Sequence, residues 1–148
     1  MEMDALVQKS DEAVEKYHEL AKQIRTIEAR MDEISVLRGH ILTYIKTRDV
    51  YAAYRKAGYS KKFYAEHESD ILRHEAAKKA IDELGLQKLP TIKRLQDEYA
   101  RLLEEKKKAL PEYRKARDEM RELLTVKANV ESILRLDEHD HGKKHVRE

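Results

Sequence analysis

Residues 92–134 read IKRLQDEYARLLEEKKKALPEYRKARDEMRELLTVKANVESIL. Ile92, Leu95, Tyr99, Leu102, Ala109, Tyr113, Ala116, Met120, Leu123, Val130 and Leu134 recur in steps of three and four, with Lys106 and Lys127 filling the two remaining places. That alternation lays one stripe along a helix, the pattern of a coiled-coil seam. It predicts a helix over about 91–135, roughly 65 Å long at ~1.5 Å per residue. Pro111 falls inside it and removes a backbone donor. The seam keeps step on both sides of the proline, so the spacing predicts a kink rather than a turn.

Upstream of this stretch, Leu86–Pro90 reads as a short extended connection, and Gly85 closes a helix over about 61–84. Its inward face would be Phe63, His67, Ile71, His74, Ala77, Ile81 and Leu84. Ala57-Gly58-Tyr59-Ser60 is a stop and restart: Gly58 suits the left-handed residue that ends a helix, and Ser60 suits a cap. Before it, Tyr17, Leu20, Ile24, Ile27, Met31, Ile34, Ile41 and Ile45 form a second heptad seam, with Leu37 beside it and Arg38 interrupting it. One helix over about 4–57 follows, with room for a bend at Gly39. The closing DEHDHGKKHVRE, residues 137–148, reads as a disordered polar tail.

Composition agrees with few, long helices. Of 148 residues, 41% are charged and 6% aromatic, with four Gly and two Pro, which leaves little material for turns. The absence of cysteine excludes a disulfide framework and thiol chemistry. No apolar run reaches the ~18 residues of a membrane span, and Met1-Glu2-Met3-Asp4 is unlike a signal peptide. No membrane insertion is expected, and the expected location is cytoplasmic.

The fold class expected is all-α: an elongated antiparallel coiled-coil hairpin of two long helices, with the shorter third helix at the tip. Residues 1–136 would form a single helical domain. Pairing would set Ala57 near Thr91 and Tyr17 near residues 128–132. An up-down-up bundle is the alternative.

Charge falls in blocks. Residues 1–36 carry 5 basic and 9 acidic side chains, 37–62 carry 7 and 1, 63–86 carry 3 and 6, and 87–117 carry 10 and 5. The expected hairpin brings both basic blocks to one end. There Lys46, Arg48, Arg55, Lys56, Lys61 and Lys62 interleave with Tyr51, Tyr54 and Tyr59. Cations displace counterions from a phosphate backbone, and aromatic rings stack on exposed bases. These residues are the candidate nucleic-acid site. The competing reading makes the charges solvated helix faces and the tyrosines packing between helices.

Catalytic chemistry finds no support. There is no Gly-rich phosphate loop, nucleophile elbow or zinc spacing. Glu15-x-x-His18 is half of a di-iron signature without its second copy. His139, His141 and His145 sit in the polar tail, where preorganised ligation is not expected. No catalytic residue, metal site or cofactor is assigned.

TYIKTRDVYAAYRKAGYSKKFYAEHESDILRHEAAKK at 43–79, with LGLQKLPTIKRLQDEYARLLEEKKKALPEYRKARDEMRELLTVKANV at 84–130, resembles the C-terminal region of relaxase/mobilisation nucleases of conjugative and mobilisable elements. YRKAGYSKKF is the most distinctive part. Family relaxases nick one DNA strand with a tyrosine and a metal held by three histidines. His139-Asp140-His141 has a charged centre and lies on no strand, and no tyrosine is assignable as nucleophile. The resemblance therefore implies a non-catalytic auxiliary domain that binds transfer-origin DNA, single strands included. A dimerisation or docking scaffold for the coupling protein or another relaxosome component, acting as a homodimer, is the alternative.

Overall fold

The computed structural model describes residues 2–147, with side chains through Glu138. Three helices account for it: α1 (Met3–Lys56), α2 (Lys61–Glu83) and α3 (Ile92–Arg147). No strand occurs among the described residues. The all-α helical hairpin with a shorter helix between two long ones is the observed class. None of these helices, over the described residues, is long and apolar enough to cross a membrane. The chain divides into two units, residues 27–104 and residues 1–26 with 105–148.

In the unit of residues 27–104, Ile27, Met31, Ile34, Leu37 and Ile41 of α1 close on Leu95 and Leu102 of α3, with Ile81 of α2 against them. The seam expected on α1 holds as far as Ile41. Beyond it the covered positions become Tyr44, Thr47, Tyr51 and Tyr54, while Ile45 is 46% exposed. Repeated three-residue steps rotate an apolar stripe around its helix. The rotation turns α1 from the face that meets α3 to the face that meets α2.

The inward face of α2 is as expected at Ile71, His74 and Ala77, which are buried, whereas Leu84 at its cap is exposed. His74 lies between the rings of Tyr44 and Tyr51, with centroids 4.7 and 4.4 Å away. The Thr47 hydroxyl donates to the Thr43 carbonyl at 2.7 Å. Its free lone pair can accept from the His74 Nδ1–H, 3.0 Å away. Burial, aided by the Lys78 ammonium, holds the imidazole below its usual pKa. One backbone irregularity has no counterpart in the sequence pattern: His67 interrupts α2 with φ −128° and ψ 25°.

The pairing offset differs from the expected one. Arg30 grips Glu98 through two bonds of 2.8 and 3.1 Å, and Thr47 meets His74. Residue 92 therefore starts level with about residue 37 of α1, not residue 57. At ~1.5 Å per residue, Arg55 and Arg94 are separated by roughly 25–30 Å. In this unit α2 covers the C-terminal half of α1, and α3 takes over where α2 ends. The basic block at 37–62 thus lies mostly against the acidic block at 63–86, and only its first residues, around Arg38, run beside the second basic block. The expectation failed because heptad spacing repeats every seven residues and cannot by itself distinguish one alignment from another.

In the unit of residues 1–26 and 105–148, the seam is built from smaller groups. Leu6, Ser10, Ala21 and Ile24 of α1 are buried, as are Ala109 and Ala116 of α3. Tyr17 and Tyr113 stack at 5.4 Å with their hydroxyls 3.3 Å apart. Tyr17 accordingly meets Tyr113 rather than residues 128–132. Pro111 sits inside α3, which continues through it. The helix also runs on through the polar segment from residue 137 to Arg147. The side chains of His139, His141 and His145 lie outside the described residues.

Candidate nucleic-acid interface

The turn between α1 and α2 is closed by backbone. Gly58 and Tyr59 both adopt the left-handed conformation, with φ of 66° and 59°. The Tyr59 N–H donates to the Tyr54 carbonyl at 3.1 Å and the Gly58 N–H to the Arg55 carbonyl at 3.0 Å. This paired arrangement satisfies the last carbonyls of a helix. Ser60 then caps α2, its Oγ accepting from the Phe63 N–H at 3.3 Å. Both roles were legible in Gly58 and Ser60. The left-handed Tyr59 was not.

Tyr59 is held there by rings. Its edge meets the Tyr54 ring at 5.2 Å, and Tyr54 also contacts Tyr51, Phe63 and Tyr64 at 6.0–6.1 Å. Edge-to-face and offset contacts of this kind add to the gain from burial. Tyr51 stacks on His74. Tyr51 and Tyr54 are therefore each stacked on one neighbouring ring while staying half-buried, and both help to fasten the turn. Tyr59, 56% exposed, is the most exposed of the three candidate tyrosines.

The six candidate cations are all exposed, but they do not form one group. Arg55, Lys56, Lys61 and Lys62 flank the turn. Lys46 is about 14 Å back along α1 from Arg55, at ~1.5 Å per residue, and Arg48 leans toward Asp49 at 4.0 Å. No carboxylate occurs from Val50 to Ala65. Among the described residues, the four turn cations make no ion pair, and Arg55 and Lys56 line a shallow groove with Ala52 and Tyr59.

The helix termini separate packing from function here. Arg55 and Lys56 in the last turn of α1 suit its negative end. Lys61 and Lys62 open α2, whose first turn has no acidic residue. Cations at a helix N-terminus oppose the dipole by about 0.3–1 kcal/mol each. An anion resting on that terminus reverses the sign, because the free N–H groups of the first turn and the positive charge of Lys61 and Lys62 then favour it.

No group of three or more His, Asp or Glu side chains is placed to hold a metal among the described residues. Sequence reasoning noted Arg38 only as a break in the seam. In the structure its Nε is buried without a hydrogen-bond partner, beside a groove between α1 and α3.

A family model described as terminase small subunit matches residues 38–145. No curated protein and no solved structure matches the chain. The match covers the residues on which the likeness to relaxases was read, and it overturns that likeness together with the conjugation role and the relaxosome partners attached to it. Charged heptad helices resemble one another because packing repeats the same residue types, so YRKAGYSKKF marked a helical hairpin and not an activity. With more than half its length matched, the chain belongs to the terminase small subunit family.

Proposed function

We propose that this chain is the DNA-binding, self-associating component of a phage packaging terminase, and that the turn between α1 and α2 meets the phosphate backbone. Terminase small subunits bind DNA in phage packaging and oligomerise. The observation that carries the site is the group of four cations, Arg55, Lys56, Lys61 and Lys62, with no carboxylate among them and two of the four set against a helix dipole. Helix stability does not account for that placement, whereas phosphate binding does.

The stacking of Tyr51 on His74 and of Tyr54 on Phe63 leaves less ring surface for bases and favours backbone contact on a duplex over stacking on single-stranded bases. Phosphate contacts position a protein without reading sequence. The chain carries no catalytic step in this reading: it holds DNA, and the chemistry belongs elsewhere.

Reversal of all four charges tests the site by titration against a fluorescent duplex at several salt concentrations. Removing four phosphate contacts should flatten the slope of log K against log salt by roughly 3–4. Wild-type affinity and slope in the reversed variant would reject the turn as the interface.

A further inference from the structure

Two surface features of the molecule match each other. The first lies in the unit of residues 27–104. A groove of about 500 Å³ runs between α1 and α3, walled by Ile34, Leu42, Leu95 and Leu103. Gly39 and Ala100 also line it, and a Cβ built on Gly39 would meet nothing within 4 Å. Small residues on facing helices leave space for a third backbone to approach. Arg38 lies along this groove with its Nε buried and unbonded. A guanidinium nitrogen removed from water without an acceptor is costly, and a carboxylate is the acceptor its geometry suits.

The second lies in the unit of residues 1–26 and 105–148. Tyr17 opposite Tyr113 sets Met3 level with about residue 127, since antiparallel helices rise equally. α3 therefore outruns α1. The half-covered positions end at Val130 and Glu131, and every residue from Ser132 to Glu138 is exposed. Yet the seam continues: Ile133 is 65% and Leu134 47% exposed. Asp137 and Glu138 follow one turn beyond them on the same side. This is an apolar helix face that ends in carboxylates.

The geometry points to a contact between two copies of this chain, in which the α3 segment Val130–Glu138 of one copy fills the α1/α3 groove of the next and brings its carboxylates to Arg38. Continuity with the existing seam, charge complementarity and the open space at Gly39 all favour a helix of this composition as occupant. The two surfaces are different, so the contact is head-to-tail, and each copy keeps one groove and one helix end for further neighbours. The inference rests on the proposed self-association and names the surface responsible.

Solution mass by light scattering, with duplex binding measured on the same samples, tests it. Ile133→Asp with Leu134→Asp should shift the mass to that of one chain, and Arg38→Glu should weaken association about tenfold or more. Reversal of Asp137 and Glu138 to Lys in the Arg38→Glu background should restore it, a rescue that a misfolded variant would not show. Circular dichroism separates loss of contact from loss of helix. A wild-type chain that stays monomeric at high concentration overturns the contact, as does unchanged mass in both single-surface variants. If Arg38→Glu alters duplex binding but not mass, the groove takes phosphate and the contact is likewise refuted. Loss of mass with no duplex binding by any variant would instead remove the DNA reading and leave this contact standing.

Discussion

The two units solve the same packing problem with different side chains. Between 27 and 104 the seam interlocks large aliphatics, with Ile34, Ile71 and Leu95 almost fully enclosed. In the other unit Leu6 and Ile24 are the only large aliphatics buried among the described residues, and the other enclosed places go to Ser10, Ala21, Ala109 and Ala116, with the Tyr17–Tyr113 stack between them. Large aliphatics bury more surface, at about 25 cal/mol per Å². Small residues bring helices close but contribute less. The unit that carries the α1/α2 turn and the Arg38 groove is thus the more strongly held one.

That contrast can be broken by experiment. Ile34→Ala should destabilise the chain by about 2–5 kcal/mol, because its neighbours cannot close the void. Leu6→Ala, near a helix end, should fall at the lower limit of that range. Equal costs in urea melts would dissolve the distinction between the units.

The next largest effect concerns His74, the polar member of the better-packed unit. His74→Ala should cost about 1–3 kcal/mol through lost contacts with the Tyr44 and Tyr51 rings and the loss of the bond to Thr47, whose hydroxyl keeps the Thr43 carbonyl. Burial first, and Lys78 second, keep the folded pKa of His74 below its unfolded value. Below about pH 6.5 the unfolded chain takes up a proton that the folded chain resists. The stability from the neutral ring is therefore complete above that pH and declines as pH falls toward the folded value. Subtracting the pH profile of His74→Phe from that of the wild type isolates this slope. A flat difference would show the ring free to protonate in place.

Smaller again is the Arg30–Glu98 pair. The Arg30 hydrogen bond holds the Glu98 carboxyl below its usual pKa, so its contribution is present above the ordinary carboxylate range and is lost as pH falls through the lowered value. Both groups are partly exposed, at 44% and 28%. Arg30→Met should change stability by less than about 1 kcal/mol, and less still in high salt. A larger effect would mean the pair fixes the offset of the helices rather than decorating it.

The smallest expected change is a gain. Ser10 is buried at the seam, and its Oγ has no partner. Ser10→Ala should stabilise the chain by about 0.5 kcal/mol, since it removes an unpaired hydroxyl. Destabilisation would reveal a partner that the packing conceals.

Much of the local structure was legible in the sequence. Gly58 and Ser60 specified the turn, the three-four spacing specified α3, and Ile71, His74 and Ala77 specified the covered face of α2. Part of the candidate site was legible too, because four cations without a carboxylate are visible in a string of letters. The role of the tyrosines was not. Whether a ring faces a base or another ring depends on neighbours twenty residues away, as His74 shows for Tyr51. Arg38 read as a mere interruption, because only the approach of α3 turns its position into the wall of a groove.

What the sequence determined by itself is therefore periodic and local: helix type, helix ends, and which stripe on each helix is apolar. These follow from backbone sterics and capping, which act over a few residues. The offset between helices was decided by tertiary structure alone. A seven-residue repeat admits several alignments of similar burial, and the choice among them falls to particular long-range matches such as Arg30 with Glu98, Thr47 with His74 and Tyr17 with Tyr113. That choice keeps Arg94 away from Arg55 and leaves the turn cations to act without the second basic block.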